Sequence, residues 1–114
     1  MTKRKIILDC DPGVDDTFAL FYAMAHESLD IQLISSVSGN VDIEKTTLNA
    51  RRIVAMANRD IEIVKGANEP LISKPFYADY IHGKNGLGGY EFKEDILAPL
   101  SDRNAIEAMR DVIM

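Results

Sequence analysis

Three short apolar runs, separated by two stretches of helical character, constrain this 114-residue chain more than any other feature. Lys5 to Cys10 is a continuously apolar, isoleucine-rich segment of the kind buried on both faces of a parallel sheet. Pro12 and Gly13 break it. A helix is predicted from Asp15 or Asp16 to about Glu27, with the acidic pair in the first turn where the helix dipole favours negative charge. Its apolar residues cover most of the circumference, so deep packing is expected. Ile31 to Val37 reads as a second strand ended by Ser38-Gly39-Asn40, and Asp42 can cap a helix reaching about Asn58, with Thr46, Ala50, Ile53 and Ala57 on one face. Ile61 to Val64 is a third strand, ending at Lys65-Gly66. Alternation with short links is the signature of right-handed βαβ units. The expected fold is therefore α/β, a Rossmann-like open parallel sheet with flanking helices, its core spanning about 4–66.

Beyond Gly66 the pattern dissolves into a loop region, 67–100, where Gly83, Gly86, Gly88 and Gly89 place four of the seven glycines within seven positions. Long loops inside compact domains are usually functional or mobile. A last helix is expected over about 101–114, beginning near Ser101, with Ala105, Ile106, Met109, Val112 and Ile113 as its apolar stripe. Val112-Ile113-Met114 has neither glycine cap nor polar tail, which reads as the amino-terminal part of a larger protein, or as a helix docked on the core or on a second subunit. The uncapped apolar end and an exposed sheet edge predict self-association as a homo-oligomer.

Thirteen basic against 18 acidic side chains give a formal charge of −5 and a sequence pI near 4.9. Nucleic acid and anionic membrane both need a basic face, so neither is the expected partner. Cations are. The longest apolar stretch, Phe18 to Ala25, is far short of a membrane span, and the run behind Lys3-Arg4-Lys5 is too short for a signal-peptide core. With Cys10 the sole cysteine, a reducing compartment, the cytoplasm, is the expected location.

Asp9, Asp11, Asp15 and Asp16 fall within eight residues at the end of the first strand and the start of the first helix. In open α/β sheets the carboxyl ends of the strands face the ligand crevice. Four carboxylates there repel one another, so either some hold protons at raised pKa or a cation binds them together. A helix dipole is too weak to offset such crowding. A hard cation with oxygen ligands is favoured, with no thiolate role for Cys10. The bland alternative has Asp9 and Asp11 satisfying loop amides, Asp15 capping the helix and Asp16 solvated. An EF-hand is excluded, because counting from Asp9 its sixth position is Val14 and its twelfth Leu20.

The segment Asp9-Cys10-Asp11-Pro12-Gly13-Val14-Asp15-Asp16, preceded by Ile6-Ile7-Leu8, closely resembles the amino-terminal signature of the inosine-uridine-type nucleoside hydrolases. Val37-Ser38-Gly39-Asn40, Thr47-Leu48-Asn49-Ala50, Gly66-Ala67-Asn68-Glu69-Pro70-Leu71 and His82-Gly83-Lys84-Asn85-Gly86-Leu87-Gly88 resemble later family segments, so the likeness runs from about Lys5 to Gly89. It implies calcium-assisted hydrolysis of the N-glycosidic bond of a ribonucleoside. Carried over by position, Asp11 and Asp16 are the calcium ligands, and Asp11 also accepts a proton from the attacking water. Asp15 and Asn40 bind ribose hydroxyls, and His82 lines the nucleoside pocket. The residue types suit this chemistry: a carboxylate is a competent base, negative charge stabilises an oxocarbenium-like state, and an asparagine amide matches a hydroxyl that both donates and accepts. For Asn40 a turn or capping role stays open, and for His82 a surface loop.

Family members are much longer and add further calcium, ribose and base contacts, so the 114 residues alone are expected to bind calcium weakly and hydrolyse little. Two other functions compete. One is a non-catalytic remnant that binds calcium or ribose, or self-associates. The other is a haloacid-dehalogenase-like phosphohydrolase with Asp9 as nucleophile, Asp11 as acid/base and magnesium; Gly13 stands where that family usually has threonine or valine, and Asp15-Asp16 goes unexplained.

Overall fold

The computed structural model describes residues 2–74, 76–77, 83–88 and 96–114. Its elements are β1 (Arg4–Cys10), α1 (Val14–Ala25), β2 (Leu29–Ser36), α2 (Ile43–Met56), β3 (Ile63–Lys65) and α3 (Ala105–Ile113). The three strands form one parallel sheet in the order β1-β2-β3. Arg4 pairs with Leu29 and Cys10 with Ser36, with a register shift between Ile6 and Ile7, while Ile34 pairs with Ile63. The expected α/β architecture is present.

Side-chain alternation along β2 divides the core into two layers, because successive residues face opposite sides of a sheet. Ile34 packs with Leu20 and Met24 of α1, Ala50, Ile53 and Val54 of α2, and Ile63. Leu33 faces the other way, onto Val64, Ala105 and Ala108, with Ile7, Met109 and Val112 around them. Helices α1 and α2 thus cover one face and α3 the other.

Side-chain caps mark where α2 and α3 start, whereas α1 follows Gly13 without one. The Asp42 side chain accepts the Lys45 N–H at 3.0 Å, as its position before α2 predicts. Asn104 accepts the Ile106 N–H at 2.8 Å and sets the start of α3 at Ala105 rather than near Ser101. Ser101 is engaged elsewhere: its amide donates to Ile63 O at 2.9 Å and its hydroxyl to the Glu62 carboxylate at 2.8 Å. Arg103 closes the same corner with two nitrogens on Glu62, at 2.7 and 2.8 Å.

Three packing expectations need correction. β1 is an edge strand with its isoleucines half-buried, because β2 holds the centre of the sheet and is covered on both faces. α1 buries only Leu20, Ala23 and Met24, leaving Phe18 73% and Tyr22 69% exposed, since a single sheet face can receive one side of a helix. In α3 the buried stripe runs through Ala105 and Ala108, and Ile106 and Ile113 point outward at 78% and 73% exposure. The alanines allow the helix to approach the sheet closely. No helix among the described residues is long and apolar enough to cross a membrane.

Candidate functional site

β1 ends at Cys10, and the chain turns at once through Asp11, Pro12 and Gly13 into α1. That turn is braced from the loop after β2. The Asp11 carboxylate accepts the Asn40 N–H at 2.9 Å, and the Asn40 side-chain amide donates to the Asp11 carbonyl at 2.8 Å. Gly39 makes the approach possible, because any Cβ at that position would collide with the Asp11 carboxylate. Asp16 reaches back from the first turn of α1 and accepts the Asp11 N–H at 3.2 Å.

These contacts place the Asp16 carboxyl on the Asp11 backbone, in the same turn as the Asp11 carboxylate. The Asp16 carboxyl is pushed up to about 6, first by burial, then by its hydrogen bond with Asp11 and the charges of Asp11 and Asp15; the Asp11 amide acts in the opposite direction. A carboxyl raised in this way keeps its proton more readily or accepts a cation beside it. The donor set is oxygen-only and suits a hard ion such as calcium. It is also small. Calcium takes six to eight oxygens, roughly, and two carboxylates supply at most about four.

The crowd of four aspartates expected from the sequence divides in space. Asp9 accepts the Ser35 hydroxyl at 2.6 Å, its in-register neighbour on β2. It borders a cavity of about 320 Å³ that Ser36, Lys65, Gly66, Asn104 and Met109 also line. Asp15 is exposed in the first turn of α1. Neighbouring helical positions diverge by about 100°, so Asp16 can turn toward Asp11 while Asp15 does not. Among the described residues no group of three or more His, Cys, Asp or Glu side chains gathers around one point. The Cys10 thiol is pushed up to about 12, chiefly by burial and then by Asp16, Asp9 and Asp11, which keeps it protonated and unsuited to metal binding.

Asn40 sits beside the pair, braced against the Asp11 loop. His82 lies outside the described residues, although the glycine segment that follows it, 83–88, is described. That segment reaches the aspartate turn through a residue to which the sequence motif assigns no role. Asn49 of α2 donates to Pro12 O at 3.1 Å and to Asn85 O at 2.7 Å. A polar side chain amid the buried Thr46, Ala50 and Ile53 positions of an amphipathic helix was the available signal.

The sequence profile of the inosine-uridine preferring nucleoside hydrolases matches residues 6–114. A non-specific ribonucleoside hydrolase RihC from Salmonella paratyphi B is 45% identical over 109 residues, covering 96% of this chain and 35% of the relative. The Escherichia coli protein of the same description is 43% identical, over 96% of this chain and 36% of that one. Among solved structures, a purine-preferring ribonucleoside hydrolase from Gardnerella vaginalis superposes with a TM-score of 0.88 at 30% identity, covering 96% of this chain and 36% of its own. The chain thus spans about a third of the length of the relatives it matches.

Proposed function

The chain belongs to the inosine-uridine preferring nucleoside hydrolase family, and on that premise we propose that the intact protein hydrolyses the N-glycosidic bond of ribonucleosides to a free base and ribose. The observation that carries this reading is the braced pair at the end of β1, where Asp16 accepts the Asp11 N–H and the Asn40 N–H aims the Asp11 carboxylate. Asp11 and Asp16 hold calcium in this reading. When bound, calcium supplies Lewis-acid polarisation and neutralises the paired negative charge.

The remaining work falls to side chains of this chain. Asp11 accepts the proton of the attacking water, with its carboxylate orientation fixed by the Asn40 amide. Asp15, exposed beside Asp16, accepts hydrogen bonds from ribose hydroxyls. Asn40, whose carboxamide nitrogen is held on the Asp11 carbonyl, offers its carboxamide oxygen to a ribose hydroxyl, and His82 borders the nucleoside. Nearby carboxylates favour the positive charge that develops on the sugar as the base departs. Asp9 is turned toward Ser35 and stays in a supporting role. The protein acts in the cytoplasm, in recovery of free bases, as a homo-oligomer.

Two carboxylates fall short of a calcium shell, so the 114 residues by themselves bind calcium weakly and hydrolyse little or nothing. A calcium titration of reducing-sugar release from inosine and uridine tests the reading. Turnover by the full-length protein that rises with calcium and disappears with chelator is expected. Turnover indifferent to calcium contradicts it.

A further inference from the structure

We propose that Asn49 is a positioning residue that fixes the glycine loop, residues 83–88, against the aspartate turn and so sets one wall of the ribonucleoside pocket. The inference rests on the nucleoside hydrolase reading above and adds to it a residue placed on α2, outside the aspartate motif.

Asn49 is only 2% exposed, in the middle of a helix, where asparagine is a poor helix former. Its side-chain NH2 donates to Pro12 O and to Asn85 O, one carbonyl from each loop. A carboxamide nitrogen carries two N–H donors, which is the number needed to bridge two carbonyls. Neither aspartate nor leucine offers any.

The loop is shaped to meet this clamp. Gly86 has φ +83°, and a Cβ there would lie 3.0 Å from Asn49 Nδ2, 3.1 Å from Val41 Cγ2 and 3.4 Å from Pro12 O. Only a glycine accepts that conformation readily and lets the backbone come so near. Leu87 lines one side of an apolar groove of about 250 Å³, with Val14, Phe18 and Phe21 of α1 among its other walls. The Leu87 amide donates to the Asn85 side chain at 2.9 Å, which closes the turn on itself. The loop is therefore anchored to α2 and packed against the aspartate turn.

Asp11 has its own supports in Asn40 and Asp16, independent of Asn49. Loss of the clamp therefore frees the wall that touches substrate and leaves the reacting carboxylates in place. Substrate binding suffers and the chemical step does not.

Asn49→Leu in the full-length protein tests this, with inosine kinetics and residue-resolved amide hydrogen exchange read in parallel. KM is expected to rise about tenfold or more while kcat stays within about threefold, and amides 85–88 are expected to lose protection while Leu33 and Ile34 keep theirs. A merely structural role lowers the active fraction, and with it apparent kcat, at constant KM. A folded Asn49→Leu protein with unchanged KM, or with unaltered protection of the loop, overturns the proposal. If Asn49→Leu does not fold, Gly86→Ala disturbs the same contact from the loop side and must raise KM likewise; an unchanged KM overturns the proposal. If the unsubstituted protein has no nucleosidase activity, the parent reading fails, and the exchange measurement alone decides whether Asn49 holds the loop.

Discussion

Asp11 shows how much one residue's surroundings determine what it can do. Its carboxylate is aimed by a backbone amide, its carbonyl is held by a carboxamide, and its own amide is capped by a second acid. Gly39 is the silent partner in that arrangement. Gly39→Ala is expected to push the Asp11 carboxylate aside and to abolish calcium-dependent stabilisation, measured as the rise in melting temperature on adding calcium; an undiminished rise contradicts the geometry. Asp16→Asn removes half of the paired charge. The variant is expected to be at least as stable as the parent in chelator, because the repulsion is relieved, and to lose the calcium-induced shift. At this scale the sequence was partly legible. The proline and glycine after the first strand and the density of aspartates marked the place, but one-letter spacing does not reveal that Asp9 answers Ser35 across the sheet. Asn49 stands in a family-like segment, but its role is invisible in the sequence because its partners, Pro12 and Asn85, lie 37 and 36 positions away.

Elements were more readable than residues. Strand, helix, strand, helix, strand followed from apolar runs and breakers, and the Asp42 cap stood where the sequence placed it. Asp42→Ala is expected to cost about 1 kcal/mol, read by urea denaturation, since one amide at the start of α2 loses its acceptor. Ile34, fully buried at the centre of the sheet, is a stronger test of the layering: Ile34→Ala is expected to cost about 2–5 kcal/mol. A loss no greater than that of a surface alanine substitution would refute its central place. What the pattern could not supply was which face of α1 and α3 turns inward. Apolar residues ring α1, so periodicity does not select Leu20 over Phe18. In α3 the buried contacts come from small alanines, which carry a weak hydrophobic signal although they allow close packing.

Across the whole molecule, two features tie distant segments together. One is the corner where Arg103 and Ser101, before α3, meet Glu62, before β3. Arg103 hydrogen bonding holds the Glu62 carboxyl below its usual range, against burial, with help from Ser101. A lowered folded-state pKa means that this contribution to stability is complete above the unfolded value of about 4.5 and is lost as pH falls through the folded value. Arg103→Met is therefore expected to lower the melting temperature near pH 7 and to narrow the gap from the parent protein below pH 4; a gap constant across that range contradicts the linkage. The other feature is the turn at the end of β1, where the aspartate pair, the Asn40 loop and the glycine loop converge. The most direct test is kcat/KM for inosine and uridine in calcium, measured on the full-length protein and its Asp11→Asn variant with folding verified by circular dichroism. Turnover by the parent and a loss of about 10²-fold or more in the folded variant are expected. Equal turnover by the two proteins would remove Asp11, and the paired acids with it, from the centre of the chemistry.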